Sequence, residues 1–400
     1  MSLRWFLADL RTGRQILDLN PLSGSWERFL NQPESLSCTL DMRDKDTVAL
    51  RPRVAAAAGR AVLAVASGDV LLGAGPIWTH GYNGDQKTLK LTAKGLWSYF
   101  DHRFLLPTVA ANISVGDFTI SDPSAAGKTM PNPAVGTYLN GWEMGTVAKK
   151  WVQRSRAWTG GEVPVVFEDD RAALSDEAHE RNFEGASFKK IGEVLRQLTQ
   201  VEGGPDIRFR PRLTGDLLGV EWVLETGTDA QPMLTGSATH EWSLGVNSQM
   251  SGFGVDVDGS SLAGIAWATG GRSGDEVLVA RNTDPYLLQK GWPLLEALDS
   301  SHSSVSNQRT LNGYAVEATT LGRGPVEEWS FSVEADQSPK LATYWEGDWC
   351  NISVPAFDED TGDGDPYLFE KQTSRRRITG FGGDVKGDIV SITTAATRGD

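Results

Sequence analysis

Apolar residues near the start of the chain alternate with a period of two. In LRWFLADL, Leu3, Trp5 and Leu7 fall on one face and Arg4, Phe6 and Ala8 on the other, the pattern of a β-strand. Asn20-Pro21 and Ser23-Gly24 mark a turn before SWERFLNQ and SLSCTLDM. Gly68-Asp69 separates two apolar runs in AVLAVASGDVLLGAGPIW, which predicts a hairpin, and TLKLTA alternates Leu89 and Leu91 with Lys90 and Thr92. This is a meander or barrel pattern, and residues 1–112 read as one β-rich domain.

The character then changes. Asn112 to Tyr138, with Pro123, Pro131 and Pro133, is rich in small and polar residues and reads as a long excursion or linker. Phe188, Ile191, Val194, Leu195 and Leu198 recur at helical spacing, with Ser187 as the N-cap and Gly203-Gly204-Pro205 as the stop, so a helix is expected over Ser187–Gln200. Alternation resumes in DIRFRPR and LGVEWVLET, where Leu218, Val220, Trp222 and Leu224 share a face, and this middle region, 113–235, is α+β. From 236 to 400 the strand theme returns in SGFGVDVDG, LAGIAWATG, WSFSVEA, YWEGDWCNISV, RRRITGF and DIVSITT, interrupted by a helical stretch near 284–322. Two β-rich blocks thus bracket helical material, and the absence of a ~20–50-residue repeat argues against a solenoid or propeller.

Composition narrows the function. The 400 residues are 40% hydrophobic and 22% charged, which is ordinary for folded domains and excludes global disorder. The 38 Lys and Arg against 52 Asp and Glu leave a net charge of −14, a sign that disfavours tight binding to nucleic acid or to anionic lipid. Cys38 and Cys350 are the only cysteines, too few for a disulfide framework or a zinc cluster, and fit assembly in a reducing cytosol. Arg4 and Asp9 interrupt the N-terminus before a signal-peptide core can form, and the longest uncharged run, Val70 to Gly84, is laced with Gly, Pro and Asn. Neither export by a signal peptide nor stable membrane insertion is expected.

The search for chemistry returns no catalytic, cofactor-binding or metal-binding residues. His80, His102, His179, His240 and His302 are scattered, and neither His179-Glu180 nor His240-Glu241 continues into HExxH. GxSxG is absent, and AAGKTM at Ala125–Met130 lacks the first glycine of a P-loop, which would fall at Asp122. Asp358, Glu359, Asp360, Asp363 and Asp365 lack EF-hand spacing and read as a solvated loop, and DVDG at Asp256–Gly259 reads as a tight turn. Tryptophan is abundant, with 14 copies against 7 tyrosines. Trp5, Trp222 and Trp329 fall on core faces of strands, whereas exposed tryptophans would suit subunit contacts or sugar stacking.

Several segments together carry a resemblance. WERFLNQPESLSCTL, GGPDIRFRPR with VEWVLETG, GWPLLEALDSSHSSVSNQRTL, YWEGDWCNISV and RRRITGFGGDVKGDIVSI resemble the minor tail proteins of long-tailed phages of actinobacteria, whose architecture is similar to the baseplate hub of contractile tails. The resemblance implies a predominantly β, α+β fold with two β-barrel hub domains per subunit: a first barrel in 1–112, an α+β insert in 113–235 whose strands can return to that barrel, and a second barrel in 236–400. It further implies a structural, non-enzymatic homotrimer at the virion tail tip, assembled in the host cytoplasm, in which six barrels continue the tail tube. The distal tail protein, other tail-tip proteins and the tape-measure protein are its implied partners, with DNA only in transit. Ending at Asp400, the chain is expected to lack the hydrolase or receptor-binding extension of many relatives. A virion-associated carbohydrate-binding or carbohydrate-degrading protein is the alternative.

Overall fold

The computed structural model describes residues 3–105, 139–156, 160–173, 179, 181, 183, 188–201, 203–245, 248–273, 276–300, 305, 307–362 and 364–395. The predicted linker Asn112–Tyr138, with Asp122 and Ala125–Met130, lies wholly outside them, as do Ser187, Glu180, His302 and Asp363. The chain forms two compact units: Met1–His240 with Val333–Asp348 and Thr379–Ile392, and Glu241–Ser332 with Trp349–Ile378 and Thr393–Asp400. It is predominantly β, with antiparallel pairing throughout its largest sheets, and the pairings do not close a barrel among the described residues. No helix among these residues is long and apolar enough to cross a membrane.

In the first unit the elements are β1 (Leu3–Asp9), β2 (Gln15–Leu19), β3 (Ser23–Phe29), β4 (Ser35–Asp41), α1 (Lys45–Ala49), α2 (Pro52–Ala55), β5 (Ala61–Ser67), β6 (Val70–Asn83), β7 (Thr88–Lys94) and α3 (Trp97–Phe100). They are followed by α4 (Met144–Arg156), β8 (Val165–Phe167), α5 (Ile191–Thr199), β9 (Ile207–Leu213) and β10 (Val220–Thr226). Strands β3, β4, β7, β6, β5, β1 and β2 lie side by side in that order, all antiparallel. β6 is long enough to pair with β5 along its first half and with β7 along its second, with a register shift at Ile77/Thr79. The predicted Gly68-Asp69 hairpin joins β5 to β6, and Gly68 takes a φ of +58° that suits glycine.

β1 departs from a half-buried strand, because both its faces are covered. Phe6 and Ala8 lie opposite Ala64 and Val62 of β5, and these join a core cluster with Trp97, Trp151, Leu195 and Trp222. Trp5 and Leu7, opposite Val65 and Leu63, are buried on the other side. The second layer that covers Phe6 is the sheet β8-β10-β9 with α4 and α5. Two indoles fasten it: Trp222 Nε1 donates to the Ala74 carbonyl at 3.1 Å, and Trp97 Nε1 to the Gly192 carbonyl at 3.0 Å. A Cβ at Gly192 would fall 2.2 Å from Asp101 Oδ1, so only glycine lets α5 approach that closely.

Three expectations shift here. The helix begins at Ile191, and Phe188 is left out of it, with a φ of +46° and its ring against Phe104 at 5.9 Å. The backbone on either side is committed elsewhere: Leu105 N–H donates to the Lys189 carbonyl and Ile191 N–H to that of Arg103, which precludes an earlier helical turn. Leu218 is 64% exposed, because Asp216 accepts from its N–H in a turn and β10 starts only at Val220. Ser23-Gly24 belong to β3, paired with Thr39 and Cys38, so the turn is confined to Asn20–Leu22.

The second unit holds most of β11 (Thr239–Ser243), then β12 (Met250–Asp258), β13 (Ile265–Ser273), β14 (Glu276–Thr283), α6 (Tyr286–Gln289), β15 (Glu296–Asp299) and α7 (Gln308–Leu321). β16 (Val326–Glu334), β17 (Trp349–Val354), β18 (Gln372–Asp384) and β19 (Ile389–Ala395) complete the chain. Trp329, Phe331, Trp242, Cys350 and Ile352 form the apolar interior of its main sheet. Beside it, β14-β13-β15 packs Ala268 and Ala280 on Leu311 and Ala315 of α7. The stretch 284–322, expected as helical, therefore contains a strand: β15 runs parallel to β13, and with four residues, two of them acidic, it carries no alternating apolar signal. β12 continues through Asp258, whose carboxylate accepts from Ser260 N–H, so the turn falls later than Asp256–Gly259.

Leu195 and Leu198 are buried in the first-unit core. Either Leu195→Ala or Leu198→Ala is expected to cost ~2–5 kcal/mol in urea unfolding. An unchanged midpoint would show that α5 does not pack as described.

Candidate functional site

The most deeply buried charge of the first unit, among the described residues, is that of Arg28. Arg28 follows Trp26 on the inward face of β3 and has no exposed surface. Its Nε and Nη2 donate to the two carboxylate oxygens of Glu346 at 2.9 and 2.7 Å, and its Nη1 donates to the Leu72 carbonyl at 3.0 Å. Glu34 Oε1 lies 3.6 Å from Nη1 of Arg28, and the guanidinium stacks over Trp345 at 5.0 Å. Arg208 extends the network, donating to the Glu346 backbone carbonyl at 3.0 Å and pairing with Glu225 at 2.6 Å, where Arg210 also binds at 2.6 Å. Burial by itself would raise the Glu346 carboxyl, but the Arg28 and Arg208 charges hold it below its ordinary value. Burial pushes Glu34 up to about 7, only partly opposed by Arg28.

Two further buried carboxylates fasten the segment between β10 and β11. Asp206 accepts from Asn31 Nδ2 and from Leu234 N–H, each at 2.8 Å, and Asn31 Oδ1 accepts from Ile207 N–H at 2.9 Å. Asp348 accepts from Gly236 N–H at 2.6 Å and Trp345 N–H at 2.9 Å, with His240 Nε2 3.5 Å away. These groups bind backbone donors, which is positioning chemistry.

The residues singled out by sequence are not brought together. His80 and His102 are exposed, His102 against Trp78 at 4.3 Å; His179 pairs with Asp229 at 3.0 Å, and His240 faces Asp348. Glu241 accepts from Asn351. Cys38 and Cys350 are both buried, and burial pushes the Cys38 thiol up to about 12. Asp358 accepts from Asp360 and Thr361 N–H, which holds its carboxyl below the ordinary value, and Asp365 accepts from Tyr367 and Leu368 N–H. Among the described residues no three His, Cys, Asp or Glu side chains converge to hold a metal. Trp5, Trp222 and Trp329 are fully buried, as are Trp26, Trp97 and Trp151. Of Arg375–Arg377, Arg376 pairs with Glu327 and lies 3.9 Å over Trp329, and Arg375 stacks on Trp349 at 4.2 Å.

Sequence reasoning missed the Arg28 network. Its one local signal is an arginine two residues after a core tryptophan, on the side of a strand that must face inward. A second feature is a surface. One face of β14-β13-β15 rests on α7, and the other displays Val277, Val279 and Leu298, the last 67% exposed. Trp267 lies on that face between Arg281 and Leu298, its Nε1 donating to Glu296 at 3.1 Å. Exposed apolar faces of this kind favour contact with another macromolecule.

No family model matches this sequence, and no curated protein matches it. Solved structures do match its fold over nearly the full length. The tail protein of Neisseria meningitidis MC58 superposes with a TM-score of 0.54 at 13% identity, covering 98% of this chain and 97% of that one. The 43 kDa tail protein of prophage MuSo2 of Shewanella oneidensis gives 0.55 at 10% identity, with 99% and 98% covered. The fold of this chain is thus that of tail proteins, one of them from a prophage.

The two buried glutamates should respond differently to neutralisation. Glu346→Gln leaves Arg28 without its main counter-charge and should cost ~3–5 kcal/mol. Glu34, titrating near 7 in the fold and near 4.5 unfolded, gives stability that is complete below pH 4.5 and is lost as pH rises through 7. Glu34→Gln should therefore gain on the wild type by up to ~3 kcal/mol between pH 5 and pH 8 in chemical denaturation, and parallel pH profiles would refute this. With both cysteines buried, a thiol reagent should label neither in the folded protein and both in denaturant; labelling of the folded protein would contradict the placement of β4 and β17.

Proposed function

We propose that this chain is a structural tail-hub protein at the tip of a phage tail. In this reading three copies form a ring that continues the tail tube, and the tape-measure protein and DNA traverse it at infection. The observation that carries the reading is the coextensive fold likeness: two tail proteins and this chain each cover at least 97% of the other. A domain shared with an otherwise unrelated protein would match only in part.

The finer anatomy belongs to the same proposal. Residues 1–112 and 236–400 each supply a barrel domain, 113–235 forms the insert, and three subunits bring six barrels into a ring with pseudo-sixfold symmetry. Its neighbours are the distal tail protein and other tail-tip proteins, and its place is the virion, after assembly in the host cytoplasm. The net charge of −14 per chain suits a conduit that must not retain DNA, since each free basic contact to a phosphate would add affinity. The withdrawal of Arg376 onto Glu327 and Trp329 supports this.

Light scattering on the purified protein should give about three times the 43.4 kDa chain mass. A stable dimer that persists as concentration rises would count against the ring.

A further inference from the structure

Two exposed surfaces of this chain are opposite in charge and alike in having an apolar centre. The first is the connection from β4 to β5. Asp44 caps α1 by accepting from Asp46 and Thr47 N–H, and Pro52, buried at the start of α2, fixes the second turn. These short helices are therefore held in place while they display Val48, Leu50 and Val54, the last 72% exposed. Between Thr47 and Arg60 there is no Asp or Glu, and Arg51 and Arg53 are exposed with no ion pair among the described residues.

The second surface is the loop between β17 and β18. Asp358 and Asp365 each accept two backbone N–H groups, and Phe357 N–H donates to the Phe369 carbonyl at 2.8 Å, so the described residues of the loop are tied together by hydrogen bonds as well. It displays Tyr367 and Phe369, 69% and 60% exposed, beside Glu359 and Asp360. Those two carboxylates are exposed and have no ion pair among the described residues.

We propose that the basic, aliphatic β4–β5 connection docks on the acidic, aromatic β17–β18 loop of a second copy of this chain. Charge complementarity carries the choice of partner: two unpaired arginines flanking aliphatic side chains meet two unpaired carboxylates flanking aromatic rings. Guanidinium groups also stack favourably on Tyr and Phe, and the apolar centres gain by leaving water. In the ring reading each copy offers its β4–β5 connection to the next copy's β17–β18 loop, a head-to-tail contact whose repetition closes a ring when the rotation permits, whereas two copies exchanging both contacts about a two-fold axis would form a closed dimer. The inference rests on the ring reading above and names the surfaces that would form it.

Charge reversal tests it. Arg51→Glu with Arg53→Glu, or Glu359→Lys with Asp360→Lys, should each weaken self-association in analytical ultracentrifugation by about tenfold or more, with salt reducing the wild-type affinity as well. Combining all four reversals restores complementarity and should recover association to within about threefold of wild type. Circular dichroism checks that each variant folds. In a second experiment, Arg53→Cys with Asp360→Cys should form covalent oligomers on oxidation, since the native thiols are buried. An internal cross-link that leaves the chain monomeric places the contact within one copy and overturns the proposal, as does association unchanged by every reversal. A wild-type trimer indifferent to these variants defeats this inference and leaves the ring standing. A stable dimer sensitive to them supports the docking and defeats the ring.

Discussion

Arg28 holds a full positive charge where no water reaches it, and the arrangement of the larger unit follows from the need to compensate that charge. Taking a guanidinium out of water costs several kcal/mol unless carboxylates and carbonyls replace its hydration. Here the replacements come from distant parts of the chain: Glu346 lies 318 residues away, Leu72 belongs to β6, and Glu34 follows the β3 strand. Arg208, which pairs with Glu225, then ties β9 and β10 to the backbone carbonyl of Glu346. Strand β3, the small α/β layer and the segment before β17 must all be in place before all of these charges are satisfied. The network favours a single arrangement of these strands over near alternatives in which a buried charge stands alone.

The apolar part of the first unit is organised by a related constraint. A strand in a two-layer protein needs only one apolar face, but β1 and β5 have cover on both sides and are apolar on both. The antiparallel register sets Phe6 against Ala64 and Ala8 against Val62, so a large side chain meets a small one and the helical layer fits over them. Trp97 and Trp222 combine bulk with an N–H aimed at a buried carbonyl, which joins two layers without leaving a donor unpaired. Trp5, Trp26 and Trp151 are buried as well, but their indole N–H groups find no partner among the described residues, so these three contribute packing alone.

What kind of protein this is was partly legible in its residues. The Ile191, Val194, Leu195 and Leu198 stripe and the Gly68-Asp69 hairpin could be read directly, since each depends on neighbours within a few positions. Phe188 and Leu218 fit the same periodicities yet are exposed, because a backbone bridge to Arg103–Leu105 and a turn at Asp216 claim the hydrogen-bonding groups that the helix and strand would need. β15 was invisible for the converse reason: it is a strand only because β13 offers it a partner.

Local pattern therefore determined the β-rich character, the apolar stripe of α5 and the scarcity of catalytic motifs, all of which depend on side-chain order along the chain. Tertiary structure decided which faces of β1 are covered, where Arg28 finds its counter-charges, and which apolar residues remain on the surface of β14, β15 and the α1–α2 connection. The physical reason is range. Hydrophobic periodicity and turn chemistry act over a few residues, whereas burial, charge compensation and strand pairing depend on groups that the fold brings together from hundreds of residues apart.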